Sequence, residues 1–345
     1  MKLLKSGLLA VAISSITAGN AWAEEVTLRL HHFLPAQAAI PSKVIEPWAR
    51  KLEADSNGRI KVQIFPAMQM GGSPVQLFDQ ARDGVVDISW AILGYMPGRF
   101  VKSDVFELPF LAGRSAEQSS KALWEFSNLQ AADEFKEVKL LATFTQGPGV
   151  FHSRQPIHAM ADIKGMKVRG GTRIINQMLS RVGATPVPVP VPQTAEALSK
   201  GVVEATTLSW EVAPPLKVIE MVKHHTDFSG DKGLYTAGMV IVMNKESYAK
   251  LPEDLKKVVD SNSGAAFSAR FGQVMDEGDR AAKALAVKKG NEVVMLDAAE
   301  TQRWREAAQP VRAEWIKELK GKGIDGQKLI DDVEALLVKH APKGQ

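Results

Sequence analysis

After residue 24, segments with the hydrophobic spacing of strands alternate with segments that have the hydrophobic spacing of helices. Apolar residues alternate with polar ones over 26–30 and 60–64, and a third strand is expected over 85–91. Between the strands, apolar residues recur at helical spacing over 44–52 and 77–81, and a glycine lies shortly after each of these segments. The resulting β-α-β-α-β order predicts a mostly parallel sheet with right-handed crossovers.

A second segment, 194–204, resembles 77–87 in its order of features. Each contains a short helical stretch, a glycine, two valines and an acidic residue, which predicts a second lobe with its own sheet. Coincidence is the alternative, because a glycine between helix and strand is common. From about residue 246 helical periodicity dominates, with one strand-like interruption at 292–296, so we expect long amphipathic helices packed outside the lobes.

The first 23 residues have the pattern of a secretory signal peptide. Lys2 and Lys5 precede a short apolar run, and Ala21-Trp22-Ala23 offers the small residues of a cleavage site, with cleavage after Ala23. The remaining chain has about 320 residues, which is enough for two domains, and it contains no second run of about 18 apolar residues. We therefore predict a periplasmic protein.

Composition narrows the chemistry. The absence of cysteine excludes disulfides and cysteine nucleophiles. The formal net charge is +4, and the basic residues form no run interleaved with aromatics, so nucleic-acid binding is not expected. The histidine pairs His31-His32 and His224-His225 would each face opposite ways on a strand. No nucleophile elbow, zinc-binding helix or phosphate loop is present. We expect no enzyme, metal or cofactor, although one sequence leaves open a periplasmic hydrolase with a Ser/His/Asp triad.

The stretch 162–171 carries the clearest functional signal. It predicts a turn and a short strand with Arg169 at its carboxyl end. Ligands of open α/β sheets bind beyond the carboxyl ends of strands, and a guanidinium there can hold a carboxylate through two parallel hydrogen bonds. Gly170 and Gly171 would let the backbone approach a ligand, and Thr172 can cap the next helix, whose positive end favours an anion. A surface arginine is an equally good interpretation of Arg169 from these residues alone.

Short motifs recur in a specific order along nearly the whole chain after residue 23. They are Gly71-Gly72-Ser73, Asp83-Gly84-Val85-Val86-Asp87, Glu107-Leu108-Pro109-Phe110-Leu111, the stretch 161–169, Val182-Gly183-Ala184-Thr185-Pro186 and Gly201-Val202-Val203-Glu204. In this order and spacing the chain resembles the extracytoplasmic solute-binding proteins of TRAP transporters, of the DctP type. The resemblance implies a two-lobed α/β fold like that of type II periplasmic binding proteins. Each lobe would be a mixed sheet flanked by helices, with a long lobe-spanning helix and a helical C-terminal region.

The resemblance also implies how the chain divides and works. After the signal peptide at 1–23, lobe I would comprise 24–146 and about 235–274, and lobe II 147–234 and about 275–345. Such proteins close on a ligand and deliver it to the small and large subunits of a membrane permease, and most are monomers. The implied partners are a small-molecule carboxylate and that permease. A ligand-sensing adaptor for a receptor is an alternative, since it would use the same closed lobes.

The resemblance implies ligand-binding roles for individual residues. The arginine that ends the Lys-Gly-x-Lys-x-Arg strand, here Arg169, would clamp the carboxylate. Sialic-acid-binding relatives have a second arginine where this chain has Gly149, so we expect Gly149 to line a site with one arginine. A keto-acid-binding branch that uses a metal has Glu-Trp where this chain has Thr207-Leu208, so no metal site is implied.

The remaining candidates are aromatic or lie beside aromatics. Trp90 lies near the end of the third strand and Tyr95 follows it, His32 and Phe33 follow the first strand, and Trp210 would face the cleft if it ends its strand. Packing in the core is the alternative for each of them. As a set they favour a monocarboxylate with an aromatic or apolar body over a sugar acid, which would need many hydroxyl partners. A C4-dicarboxylate or another small organic acid is the next choice.

Overall fold

The computed structural model describes residues 25–342, so the predicted signal peptide and its cleavage after Ala23 lie outside the described residues. The strands are β1 Val26–His31, β2 Ile60–Phe65, β3 Ile88–Ile92, β4 Lys139–Thr145, β5 Val150–Ser153, β6 Lys167–Gly170, β7 Thr185–Pro188, β8 Ala205–Leu208, β9 His224–Phe228, β10 Gly238–Met243 and β11 Glu292–Leu296. The helices are α1 Glu46–Asp55, α2 Leu77–Arg82, α3 Ala116–Leu129, α4 Arg173–Arg181, α5 Thr194–Ser199, α6 Val218–Met221, α7 Lys245–Ala249, α8 Glu253–Ser261, α9 Ala265–Lys288, α10 Ala298–Gly321 and α11 Gly326–Lys339.

These strands form two separate sheets, as the sequence predicted. The first has the order β2-β1-β3-β10-β4 and the second the order β11-β9-β5-β8-β6-β7. In the first sheet β1 pairs in parallel with β2 and β3, whereas β10 is antiparallel to both β3 and β4. The sheet is therefore mixed, because a strand from the distant segment 238–243 inserts between two strands of the N-terminal half.

The similarity between 77–87 and 194–204 extends to their hydrogen bonds. Gly84 and Gly201 both have positive φ, 74° and 68°, which turns the chain from a helix toward a strand. The Asp87 carboxylate then accepts from the backbone N–H of Arg29 at 2.9 Å, and the Glu204 carboxylate accepts from the backbone N–H of Lys167 at 3.0 Å. The two sheets thus use the same device to fix the start of an inner strand, and the repeat is structural.

This device also explains an error in the predicted strand boundary. The third strand was expected over 85–91 but begins at Ile88. Val85 follows the Gly84 turn and is 51% exposed, and the backbone N–H of Arg29 is taken by the Asp87 side chain. Parallel pairing with β1 starts only where Leu30 faces Ile88. A run of valines after a glycine therefore belongs to the turn.

We expect Asp87→Ala to lower the free energy of unfolding by about 1–3 kcal/mol, because it leaves a backbone N–H without its acceptor and removes the partner of Ser247 Oγ. Urea unfolding would measure the change. The matched control is Asp133→Ala, which removes a surface ion pair with Lys102 and should change the free energy of unfolding by less than about 0.5 kcal/mol. Equal effects of the two variants would contradict the role given to Asp87.

The C-terminal region is helical and joins the two sheets. Within the segment where long amphipathic helices were expected, the chain breaks between α8 and α9, where Gly264 has a φ of 87°. Helix α9 then passes both sheets, since Phe271 stacks on Phe144 of β4 at 3.8 Å and Asp279 accepts from the backbone N–H of Glu211, just after β8, at 2.7 Å. The expected lobe-spanning helix is therefore α9.

The strands and helix α11 can be compared with the predicted lobe boundaries. All strands of the first sheet lie within 24–146 and 235–274, and all strands of the second lie within 147–234 and 275–345. Helix α11, in contrast, contacts the first-sheet side, where Gln118 Nε2 donates to the Leu337 carbonyl at 2.6 Å. The lobe boundaries therefore stay a prediction. No helix within residues 25–342 has the length and apolar character needed to cross a membrane.

Candidate functional site

Arg169 lies at the carboxyl end of β6 and is buried, with 2% of its surface exposed. Its Nε donates to the Val189 carbonyl at 2.7 Å, its Nη1 to the Thr207 carbonyl at 3.2 Å and its Nη2 to the Tyr95 hydroxyl at 3.4 Å. These partners hold the guanidinium in place, yet all of them are uncharged oxygens. A buried cation held in this way is stabilised by an anion that enters beside it.

The two sheets meet at this arginine. Tyr95, in the turn after β3, accepts from Arg169 and also from the backbone N–H of Val191 at 2.8 Å. Thr172 caps α4, as predicted, since its Oγ1 accepts from the Ile175 N–H, and the same hydroxyl donates to Glu107 Oε2 at 2.6 Å. The structure therefore brings together Arg169, Tyr95 and Thr172, three of the residues singled out from the sequence.

Gly149 contributes to this region through Tyr235. A Cβ atom on Gly149 would lie 2.2 Å from two ring atoms of Tyr235, and the backbone N–H of Gly149 donates to the Tyr235 carbonyl at 2.9 Å. The Tyr235 hydroxyl in turn accepts from Thr207 Oγ1 at 3.1 Å. Burial raises the pKa of Tyr235 to about 12, so its hydroxyl stays protonated. The tyrosine ring thus lies against position 149 and leaves no room there for a side chain.

His32 and Phe33, just after β1, form a separate group with Trp90, the middle residue of β3. The Trp90 ring lies 4.5 Å from that of Phe33, 5.9 Å from that of His32 and 6.1 Å from that of Phe144. Both ring nitrogens of His32 and the Trp90 Nε1 are buried without a hydrogen-bond partner in the described residues. Burial first, and then the neighbouring His31, lowers the pKa of His32 to about 4, so this surface is polar and uncharged at neutral pH.

Trp210 lies in different surroundings. It begins a single helical turn two residues after β8 ends, and its ring contacts His152 at 5.0 Å and His225 at 4.8 Å. The Nδ1 atoms of those histidines are 2.7 Å apart, and the Trp210 Nε1 has no partner in the described residues. Trp210 also lines a cavity of about 140 Å³ whose walls include Arg114, Pro148, Val150, Asp227, Asp279, Arg280 and Lys283. The described aromatic contacts of Trp210 are made within the second sheet and do not include Tyr95.

Two further residues in the region around Arg169, namely Glu107 and Tyr235, were not singled out from the sequence. Glu107 was noted only as part of the Glu-Leu-Pro-Phe motif, and Tyr235 only as a boundary, although the chain has just 3 tyrosines and two of them lie here. Burial first, and then the neighbouring Asp104, raises the pKa of Glu107 to about 8. Within residues 25–342 no group of three or more His, Asp or Glu side chains is arranged to hold a metal ion.

Comparison with known proteins places this geometry in a wider group. The sequence profile of the DctP family, described as bacterial extracellular solute-binding protein, family 7, matches residues 30–318. The chain is 30% identical over 313 residues to the outer membrane transporter protein TsaT of Comamonas testosteroni, which covers 90% of this chain and 91% of the relative.

Two solved structures are similar along nearly their whole length. One is a marine metagenome TRAP solute-binding protein specific for aromatic acid ligands, in complex with 3-hydroxybenzoate, with 43% identity, a TM-score of 0.90 and coverage of 92% of this chain and 100% of that chain. The other is a TRAP solute-binding protein from Rhodoferax ferrireducens in complex with copurified benzoate, with 43% identity, a TM-score of 0.89 and coverage of 92% and 98%.

Proposed function

The chain belongs to the family of bacterial extracellular solute-binding proteins, family 7, which serve TRAP transporters, and from this premise we propose that it captures an aromatic monocarboxylate. The family consists of transport proteins that bind small molecules and work with membrane permease components, which rules out the periplasmic hydrolase. The observation that carries the proposal is Arg169, a buried guanidinium that the two lobes hold between them without a charged partner among its hydrogen bonds.

In this proposal the ligand carboxylate lies on Arg169, with Thr172 and the start of α4 beside it. Tyr95 and Gly149 shape the same region, Gly149 by admitting the Tyr235 ring. The apolar body of the ligand lies toward Trp90, Phe33 and His32. Trp210 would lie at the margin of the cleft. The uncharged surface around Trp90 supports an aromatic acid, and so do the benzoate and 3-hydroxybenzoate bound by two relatives with 43% identity.

The mechanism that fits is closure of the two lobes around the acid. Lobe I would be 24–146 with about 235–274, and lobe II 147–234 with about 275–345. A ligand that touches Arg169 from one lobe and the Trp90 group from the other stabilises the closed form by its contacts with both. We further propose that the chain acts as a monomer in the periplasm, with residues 1–23 removed after Ala23, and that it delivers its ligand to the small and large permease subunits.

We expect a thermal-shift screen of purified protein to show stabilisation by benzoate and 3-hydroxybenzoate, because binding to the native state alone raises its stability with ligand concentration, by about 2.7 kcal/mol at 100 times the Kd. Succinate should give a smaller shift, since a second carboxylate would have to lie against the uncharged Trp90 group. N-acetylneuraminate should give none. A clear shift with the sugar acid or with succinate, together with no shift for either aromatic acid, would contradict the proposed ligand class.

A further inference from the structure

Glu107 is a fully buried carboxyl group at the junction of the two lobes. It ends the short helical segment Ser103–Glu107 of the first lobe, and its Oε2 accepts from Thr172 Oγ1 of the second lobe at 2.6 Å. Its other oxygen, Oε1, is buried and has no hydrogen-bond partner among the described residues. A Cβ atom on Gly94 would lie 2.3 Å from that oxygen, so the glycine makes the space in which Oε1 lies.

The charges around Glu107 do not compensate a carboxylate. A neighbouring cation, Arg173 of α4, donates to Asp104 at 3.2 Å and pairs with Glu318 of α10 at 3.0 Å. Asp104 lies on the same segment as Glu107 and repels a second negative charge. Burial and this repulsion raise the pKa of Glu107 to about 8. The group therefore carries its proton at neutral pH, and a protonated carboxyl can donate one hydrogen bond.

Glu107 also lies close to the proposed ligand site. Gly94, against which Oε1 lies, directly precedes Tyr95, whose hydroxyl accepts from Arg169, and Thr172, which donates to Oε2, is three residues after Arg169. The other elements packed against this segment carry mostly paired charges, and Asp331 of α11 is exposed and accepts from Gln327. Strand β10 has no ionisable residue, and on α3 and α11 the Glu117–Lys121, Glu125–Lys339 and Asp332–Lys328 pairs are formed. The unpartnered oxygen of Glu107 is thus a polar group in a buried region next to the guanidinium.

We propose that Glu107, in its neutral form, is a second contact for the ligand carboxylate bound by Arg169. Thr172 holds Oε2, and the proton on Oε1 forms a hydrogen bond to the ligand carboxylate. Closing on the ligand therefore takes up one proton from solvent. The inference rests on the proposed function. It gives the site a hydrogen-bond donor in the role that a second arginine would otherwise fill. No other bond forms or breaks, because the proton comes from water and returns to it when the lobes open.

The sign of the pH dependence follows from the two states. In this proposal, opening of the lobes admits water to Glu107, which would return its pKa toward the ordinary carboxyl value of about 4.3. In the structure, where Thr172 of the other sheet contacts it, burial raises its pKa to about 8. Between these values only the closed state keeps the proton, so affinity is highest at the acidic end and falls as the pH rises. The limiting slope is about tenfold per pH unit, and it levels off above the closed-state pKa. A bound anion raises that pKa further and extends the window upward.

The test measures the Kd of benzoate by calorimetry from roughly pH 6 to 8 for the wild type and for Glu107→Gln, a range in which benzoate itself stays ionised. Glutamine keeps the shape, accepts from Thr172 and donates from its amide without titrating. We expect the affinity of the wild type to fall by about 10–100-fold over this range and that of the variant by less than about threefold. Glu134, another buried acid that titrates here, is common to both proteins.

A second measurement needs only the wild type. Titrations in two buffers with different ionisation enthalpies report the number of protons taken up, which we expect to approach one per benzoate near neutral pH. Equal pH profiles for both proteins, with no proton uptake by the wild type, would overturn this inference and leave the proposed function intact. A wild type that binds no aromatic acid at any pH would overturn the proposed function and this inference with it.

Discussion

Arg169→Ala is expected to weaken the binding of benzoate by about 10²–10³-fold, or roughly 3–4 kcal/mol. The guanidinium is fixed by two backbone carbonyls and the Tyr95 hydroxyl, so it is oriented before a ligand arrives. The alanine variant loses the charge-assisted hydrogen bonds to the carboxylate and leaves that anion without a cation inside a buried site. Isothermal calorimetry would measure the change. Ligand-induced thermal stabilisation should disappear while the far-UV circular dichroism stays that of the wild type.

Two further variants separate the role of the guanidinium from that of charge alone. Arg169→Lys keeps the positive charge but loses the planar pair of donors, so its affinity should lie between those of the wild type and the alanine variant. Arg181→Ala is the matched control, because Arg181 lies on the surface of α4 and pairs with Glu314. It should bind benzoate like the wild type. An Arg169→Ala protein with a Kd within about threefold of the wild type, a change below 1 kcal/mol, would contradict the assigned role.

The fold followed from the sequence wherever one element's pattern decides its structure. Strand β11 has the bounds expected for it, 292–296, because alternation between helices is a local signal. The Thr172 cap also formed, since it depends on contacts within four residues. The predicted start of β3 was wrong, because the actual start depends on a long-range contact between the Asp87 carboxylate and the backbone of Arg29.

The residues around Arg169 could be predicted only in part, because some of them come together through long-range contacts. Arg169 and Thr172 stand beside a strand end and a helix start, where local rules apply. Glu107 and Tyr235 join them from distant parts of the chain, through hydrogen bonds to Thr172 and Thr207. Nothing in the local sequence around Glu107 shows that it is buried without a cation. The place of Trp210 in the cleft stays a prediction: its position after β8 suggested it, and the ring contacts that the structure shows are with His152 and His225.

Gly149→Ala is expected to lower the free energy of unfolding by about 1–3 kcal/mol and to weaken benzoate binding by at least about tenfold. The new Cβ would lie 2.2 Å from the Tyr235 ring, which is buried and cannot move without disturbing its neighbours. The shift would break the hydrogen bond between the Tyr235 hydroxyl and Thr207, whose carbonyl also accepts from Arg169. Urea unfolding and calorimetry would measure both effects. The control is Gly321→Ala, where the added Cβ meets nothing within 4 Å.

A double-mutant cycle tests whether the cost arises from the tyrosine ring. Tyr235→Ala removes the atoms that a Cβ on Gly149 would meet, so in that background Gly149→Ala should cost little, and the coupling between the two changes should reach about 1–2 kcal/mol. Additive effects would show that Gly149 acts by some other contact. If the coupling is found, the tyrosine and the glycine are one feature. The Tyr235 ring then fills the space that any side chain at position 149 would need, which agrees with our proposal that Arg169 binds the carboxylate without a second arginine at that position.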